Sequence, residues 1–196
     1  EEDHLSIVHA DPRRLIASVT CVGLTLDCFV FHAPSENGAP DELVRYEAWW
    51  KESASLYSKF KRGHAKSLLF IDANAEACEC DSRLVGSLGV KKELSARFSA
   101  MLGFLEATST MLPSTFSTVH EGPCCTYKHS TGNKRRIDYV AVEACDADAL
   151  VSSWVEDDLD VSTLRDDHFV ASLSVSFPVS HHSPLTKRCV KPYDVA

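Results

Sequence analysis

The stretch SLLFIDANAEA, residues 67–77, decides how this chain is read. Leu68, Leu69, Phe70 and Ile71 form an unbroken apolar run of strand length, which predicts a strand buried on both faces. The run stops at Asp72, a small residue and Asn74. On an extended chain residues i and i+2 point the same way, so this carboxylate and carboxamide can face one pocket. An Asx turn accounts for the same residues without any function, because Asp and Asn favour turns.

Outward from this strand the pattern alternates between sheet and helix. Residues 14–20 and 25–32 are strand-like and joined by a short link containing Gly23, which predicts a hairpin. A loop rich in Pro, Gly, Ser and Asn follows, HAPSENGAPDE. From Asp41 onward Leu43, Tyr46, Trp50, Ala54, Tyr57 and Phe60 recur at helical spacing. A polar loop with cysteines spans 75–90, and a second amphipathic helix carries Leu94, Phe98, Met101, Leu102 and Leu105 over 93–107. LPSTF and CCTYKH read as short extended pieces, RRIDYVAV (135–142) as a strand, and HFVASLSVSF (168–177) as an alternating strand. DADALVSS reads as a helical turn or two, and WVEDDLDV is ambiguous. Strands interleaved with helices give an α/β or α+β domain.

The chain has 196 residues, 44% of them hydrophobic, enough for one core, so residues 1–178 are taken as one domain and 179–196 as a polar tail. A formal net charge of −8 argues against non-specific affinity for phosphate backbones, although it leaves room for a local basic groove. The eight cysteines are placed unlike a disulfide framework, which predicts free thiols in a reducing, intracellular compartment, nuclear or cytoplasmic. A zinc site from Cys78, Cys80, Cys124 and Cys125 is the alternative, with C-x-C and C-C spacing that matches zinc ligation poorly. No run is long enough for a membrane span, and the opening EEDHLSIVHADPRR has no apolar core of a targeting peptide. Those residues read as a chain entered part-way.

Three further groups sit at or near strand ends. Asp138 lies inside RRIDYVAV, where a carboxylate costs desolvation unless paired; a salt bridge to Arg135 or Arg136 is the structural explanation. Asp167 and His168 stand immediately ahead of the alternating strand, where a charged turn would also explain them. His32 closes FVFHAPS. The basic run KHSTGNKRR, with Lys128, Lys134, Arg135 and Arg136, can meet a nucleic-acid backbone near Asp138 or simply form a solvated hairpin loop.

The ordered set is more specific than its parts. H-A-P-S, then apolar-D-x-N, then R-x-D-Y-V, then D-H-F resembles the C-terminal part of the endonuclease/exonuclease/phosphatase superfamily. Within it, HAPS, the tryptophan-bearing YEAWW, D-x-N-A, LPSTF, TY…RRIDYV and DH are most similar to the endonuclease domain of non-LTR retrotransposon proteins. The resemblance covers residues 13–177. It implies a two-sheet α/β sandwich with flanking helices, a deoxyribonuclease-like four-layer fold, with the active site at one end of the sheets.

The implied reaction is phosphodiester hydrolysis of DNA with Mg²⁺ or Mn²⁺. By position, Asp72 orients or deprotonates water, Asn74 donates to the scissile phosphate, and Asp167 holds the metal. His168 contacts the phosphate or shares proton transfer, Asp138 orients its imidazole, and His32 contacts the phosphate. The family's N-terminal part, with an asparagine and a glutamate metal ligand, has no matching motif here, and Ile71 stands where a glycine usually does. The resemblance therefore implies a missing N-terminal portion, and an adjoining reverse transcriptase region as a further partner. Two other functions stay open: a phosphatase of small or lipid substrates, and a non-catalytic remnant or binding module.

Overall fold

A computed structural model describes residues 4–21, 23–156 and 167–178. Its elements are β1 His4–Asp11, β2 Arg14–Cys21, β3 Leu24–His32, α1 Glu42–Phe60, β4 Lys66–Asp72 and α2 Ala96–Thr108. After these come β5 Thr110–Met111, β6 Tyr127–Lys128, β7 Lys134–Arg135, β8 Asp138–Glu143, β9 Leu150–Glu156 and β10 Val170–Val175. Six strands form one sheet in the order β1-β2-β3-β4-β8-β5, with β3 and β4 parallel and the other pairs antiparallel. β9 and β10 pair separately, as do β6 and β7. The result is a mixed α/β fold with a large sheet, a small second sheet and helices.

Alternation along the strands sorts the sheet into two faces. Ile16, Phe29, Leu69 and Ala141 stand in one cross-strand row, and Phe31, Ile71 and Tyr139 in the next. All are buried, against Trp50, Tyr57, Phe98, Met101, Phe104 and Leu105 of the two helices. Aromatic edges make many of these contacts: Phe31 meets Phe104 at 5.7 Å and 87°, and Phe29 meets Tyr57 at 4.8 Å. Such offset and edge-on pairs suit the ring quadrupole. α2 begins at Ser95, whose side chain accepts the Phe98 N–H, and ends at Ser109 in the left-handed region with φ 53°.

The opposite face is covered only in part. Leu68, Phe70 and Val140 pack toward Trp154, Ala171, Leu173 and Val175 of the β9–β10 sheet around a cavity of about 310 Å³. Farther out, Leu5 (70% exposed), Ile7 (65%), Leu15 and Val30 lie open. The expectation that residues 68–71 are buried on both faces is therefore corrected. Leu69 and Ile71 are buried, while Phe70 is 40% exposed, because its face receives only the edge of the small sheet. Of the four layers implied by the resemblance, the described residues supply helices, large sheet and small sheet.

Other local expectations shift. β1 occupies residues read as preceding the first strand, since LSIVHA alternates around a bulge between Ile7 and His9. Pro113–Thr115 of LPSTF and Ala144–Ala149 form 3₁₀ turns, and β9 takes up the LVSSW segment. RRIDYVAV splits, with Lys134–Arg135 in the β6–β7 hairpin and β8 starting at Asp138. The acidic stretch beyond Glu156 and the 179–196 tail lie outside the described residues.

Candidate active site

The site grows from the register of three strands. At the C-terminal ends of parallel β3 and β4, His32 stands beside Asp72, and Asp72 stands beside Asp138 of β8. Two residues into each strand from that end lie Val30, Phe70 and Val140, so the three polar side chains belong to the face the helices do not cover. A one-residue slip would turn all of them into the core, and the apolar alternation below them forbids it. His168 arrives from the segment ahead of β10, which crosses that same face.

The groups converge. His168 Nδ1 lies 3.1 Å from Asp138 Oδ2, and His32 Nε2 lies 3.5 Å from Asp72 Oδ2. Ligand atoms of Asp72, Asp138 and His168 all fall within 4.8 Å of one another, and among the described residues this is the one such cluster. Burial, followed by the nearby Asp138 charge, raises the Asp72 carboxyl above the ordinary aspartate range. The hydrogen bond to Asp138 raises the His168 imidazole above its ordinary value. Two facing carboxylates thus create a local need for positive charge, met by a protonated imidazole or a cation.

Asn74 is presented differently from the expectation of an extended i, i+2 pair. The chain turns immediately after Asp72, and Asn74 takes φ 46°. Its N–H donates to Asp72 Oδ1 at 3.1 Å, the Asx-type bond of the non-functional reading, and its Nδ2 donates to Ala33 O at 2.9 Å. Turn and site coincide here. Arg97, at the start of α2, fixes both loops: it donates to Asn74 O at 3.2 Å and to Pro34 O, and it pairs with Glu42 at 2.8 Å. Its guanidinium lies 3.9 Å from the Tyr46 ring centroid. Sequence reading missed Arg97, whose signal, a basic residue in the first turn of a helix against the dipole, is visible only in retrospect.

Asp167 stands beside His168, partly buried, with its carbonyl accepting the Lys128 N–H at 2.7 Å. Its carboxylate is outside the Asp72–Asp138–His168 cluster. Lys128 and Lys134 face each other across the β6–β7 hairpin and are exposed. Arg135 is exposed and 3.3 Å from Glu76. Arg136 is only 4% exposed and donates to the carbonyls of Cys124, Leu88 and Ser114, so it knits loops together. The expectation that Arg136 meets a backbone is corrected by that burial. Among the described residues the four cysteines of the zinc alternative form no cluster with metal-ligand spacing, and the seven described cysteines are free thiols. No described helix is long and apolar enough to cross a membrane.

Comparison with known families and with curated proteins finds no match. Solved structures do match. The endonuclease domain of TRAS1, a telomere-specific non-LTR retrotransposon, superposes with a TM-score of 0.59 at 17% identity, covering 88% of this chain and 69% of that one. The 3′ phosphatase NExo from Neisseria, bound to a product DNA hairpin, gives 0.60 at 15% identity over 90% of this chain and 71% of its own. The AP endonuclease LMAP from Leishmania major gives 0.60 at 12% identity, with 86% and 56% covered. The fold is therefore that of endonuclease/exonuclease/phosphatase proteins.

Proposed function

We propose that the chain is a metal-dependent phosphodiesterase, acting on DNA as a nicking endonuclease of retroelement type. The observation that carries this reading is the convergence of Asp72, Asp138 and His168 at one end of the sheet, with His32 alongside. The neighbours in fold include a retrotransposon endonuclease and a phosphatase seen with DNA, which supports a nucleic-acid substrate. The exposed Lys128 and Lys134, on the β6–β7 hairpin that leads into β8, supply local positive charge on a body of net charge −8.

The donor set fits Mg²⁺ or Mn²⁺, since two carboxylates and an imidazole on an open face leave positions for water and phosphate oxygen. Asp72 and Asp138 would hold the cation, with Asp167 the adjoining carboxylate. When bound, it supplies charge stabilisation to the phosphate in the transition state. The chain's own residues do the rest. Asp72 would orient the attacking water and take its proton through the carboxylate oxygen not on the cation. His168, whose imidazole is raised by its hydrogen bond to Asp138, donates when protonated to a phosphate oxygen or to the departing oxygen. Among the described residues Asn74 Nδ2 donates only to Ala33 O, so its second hydrogen would serve the scissile phosphate.

Supercoiled-plasmid nicking with Mg²⁺, with Mn²⁺ and with EDTA tests the reading, beside Asp72→Asn and His168→Ala. Metal-dependent nicking lost in both variants is the expected result. A folded protein that cleaves a soluble phosphomonoester and leaves plasmid intact would support the phosphatase alternative. One that cleaves neither would support the binding-module alternative.

A further inference from the structure

We propose that Thr126 is a positioning residue that sets the Asp138–His168 pair; the inference rests on the phosphodiesterase reading for its catalytic consequence and on geometry for the rest. Thr126 is 1% exposed. Its hydroxyl oxygen accepts two backbone N–H groups, those of Ile137 and of Asp138 itself, each at 3.0 Å. Its own carbonyl accepts the Phe169 N–H at 2.7 Å, one residue beyond His168. A single residue is thus bonded on one side to the strand that carries the carboxylate and on the other to the segment that carries the imidazole.

Its neighbours extend the clasp. Tyr127 forms an antiparallel bridge with His168, and the two rings lie 4.9 Å apart at 57°. Lys128 donates its N–H to Asp167 O at 2.7 Å. The imidazole itself is 42% exposed, so the surrounding core does not enclose it. Its placement against Asp138 depends on this backbone frame and on the Tyr127 ring.

The choice of threonine follows from lone pairs. Between β7 and β8 two successive N–H groups point at one spot, and a hydroxyl oxygen offers two acceptor sites there. Valine has the same shape and offers none, leaving two buried donors unpaired and the Asp138 backbone free to move. Serine keeps the acceptors and loses only a methyl group.

The experiment compares wild type, Thr126→Val and Thr126→Ser. At a fixed alkaline pH, long-range ¹⁵N–¹H spectra read the tautomer of His168, and plasmid nicking reads kcat and KM. Wild type and Thr126→Ser are expected to hold His168 with its proton on Nδ1, toward Asp138, whereas Thr126→Val mixes the two tautomers. The same variant is expected to lose roughly 10²-fold in kcat with KM little changed, the signature of a displaced reacting group. A folded Thr126→Val with the wild-type tautomer and wild-type kcat overturns the proposal, as does a Thr126→Ser as impaired as the valine. If the valine variant does not fold, Thr126→Cys, a weak acceptor of similar size, must fall between wild type and inactivity; a cysteine variant equal to wild type overturns the proposal. Should wild type nick nothing, the His168 spectrum alone decides the positioning, and the nuclease reading falls separately.

Discussion

Leu69 and Phe70 are neighbours on β4 and face opposite sides of one sheet. Leu69 is 0% exposed beneath the two helices, and Phe70 is 40% exposed on the far side. The first face is sealed by aromatic rings in edge and tilted contact, and its buried charges, Arg14 and Asp27, are paired with Glu52 and Arg62. The second carries leucine, isoleucine, valine and phenylalanine in the open, and ends in His32, Asp72 and Asp138. Stability and chemistry are thus divided between faces. The closed face stiffens the strands so that their ends hold charged groups in a fixed row on the other.

The largest effect expected from breaking this division lies at the row itself. His168→Ala should lower nicking by roughly 10² to 10⁴-fold, the span of a lost general acid or phosphate donor. Its unfolding midpoint in urea should fall only modestly, because the ring is 42% exposed and is held by the Tyr127 ring and one bond to Asp138. A variant whose activity and stability fall together would mean that the two faces are coupled more tightly than the packing indicates.

The closed face comes next. Leu69→Ala should cost about 2–5 kcal/mol, the usual range for opening a cavity in a packed core. Phe70→Ala, one residue along, should cost about 1 kcal/mol or less, since much of its ring already meets water. Denaturant titrations of the two variants side by side measure the asymmetry of the sheet directly. Equal losses would show the far face to be covered in solution, by this chain or by another.

How much of this was legible in the sequence follows the same division. The hairpin, both helices and the 66–72 strand could be read because periodicity reports a core, and the closed face is where that core lies. The continuous run at 68–71 misled about Phe70, since apolar content alone does not say which elements arrive to cover a face. β1 was overlooked because a bulge breaks its alternation and charged residues flank it. Asp72, Asp138 and His168 stood out as charged groups at strand ends, and the structure brings the three together. Arg136 looked like its exposed neighbours Lys134 and Arg135, and only folding reveals that its partners are three carbonyls distant in sequence. Arg97 and Thr126 act through backbone atoms, and such contacts leave no local pattern to read.

The smallest expected effect is the most diagnostic of where charge costs stability. Asp72 has its carboxyl raised by burial and by Asp138, so the folded protein binds that proton more readily than the unfolded chain does. Stability from this group is therefore fullest in acid and declines as pH rises from the ordinary aspartate value through the raised one. His168, raised by its bond to Asp138, declines with pH as well, but in a higher window that opens at the ordinary histidine value. Asp72→Asn should remove the acid-side decline and leave most of the neutral-side one, which rests chiefly on Asp138, while keeping an oxygen for the Asn74 N–H. In metal-free buffer the variant should be at least as stable as wild type at neutral pH, yet inactive in nicking. Urea unfolding across a pH series reads both halves of that expectation. A neutral-pH loss of stability in Asp72→Asn would instead make Asp72 a structural carboxylate, and would erase the division of labour between the two faces at its most exposed point.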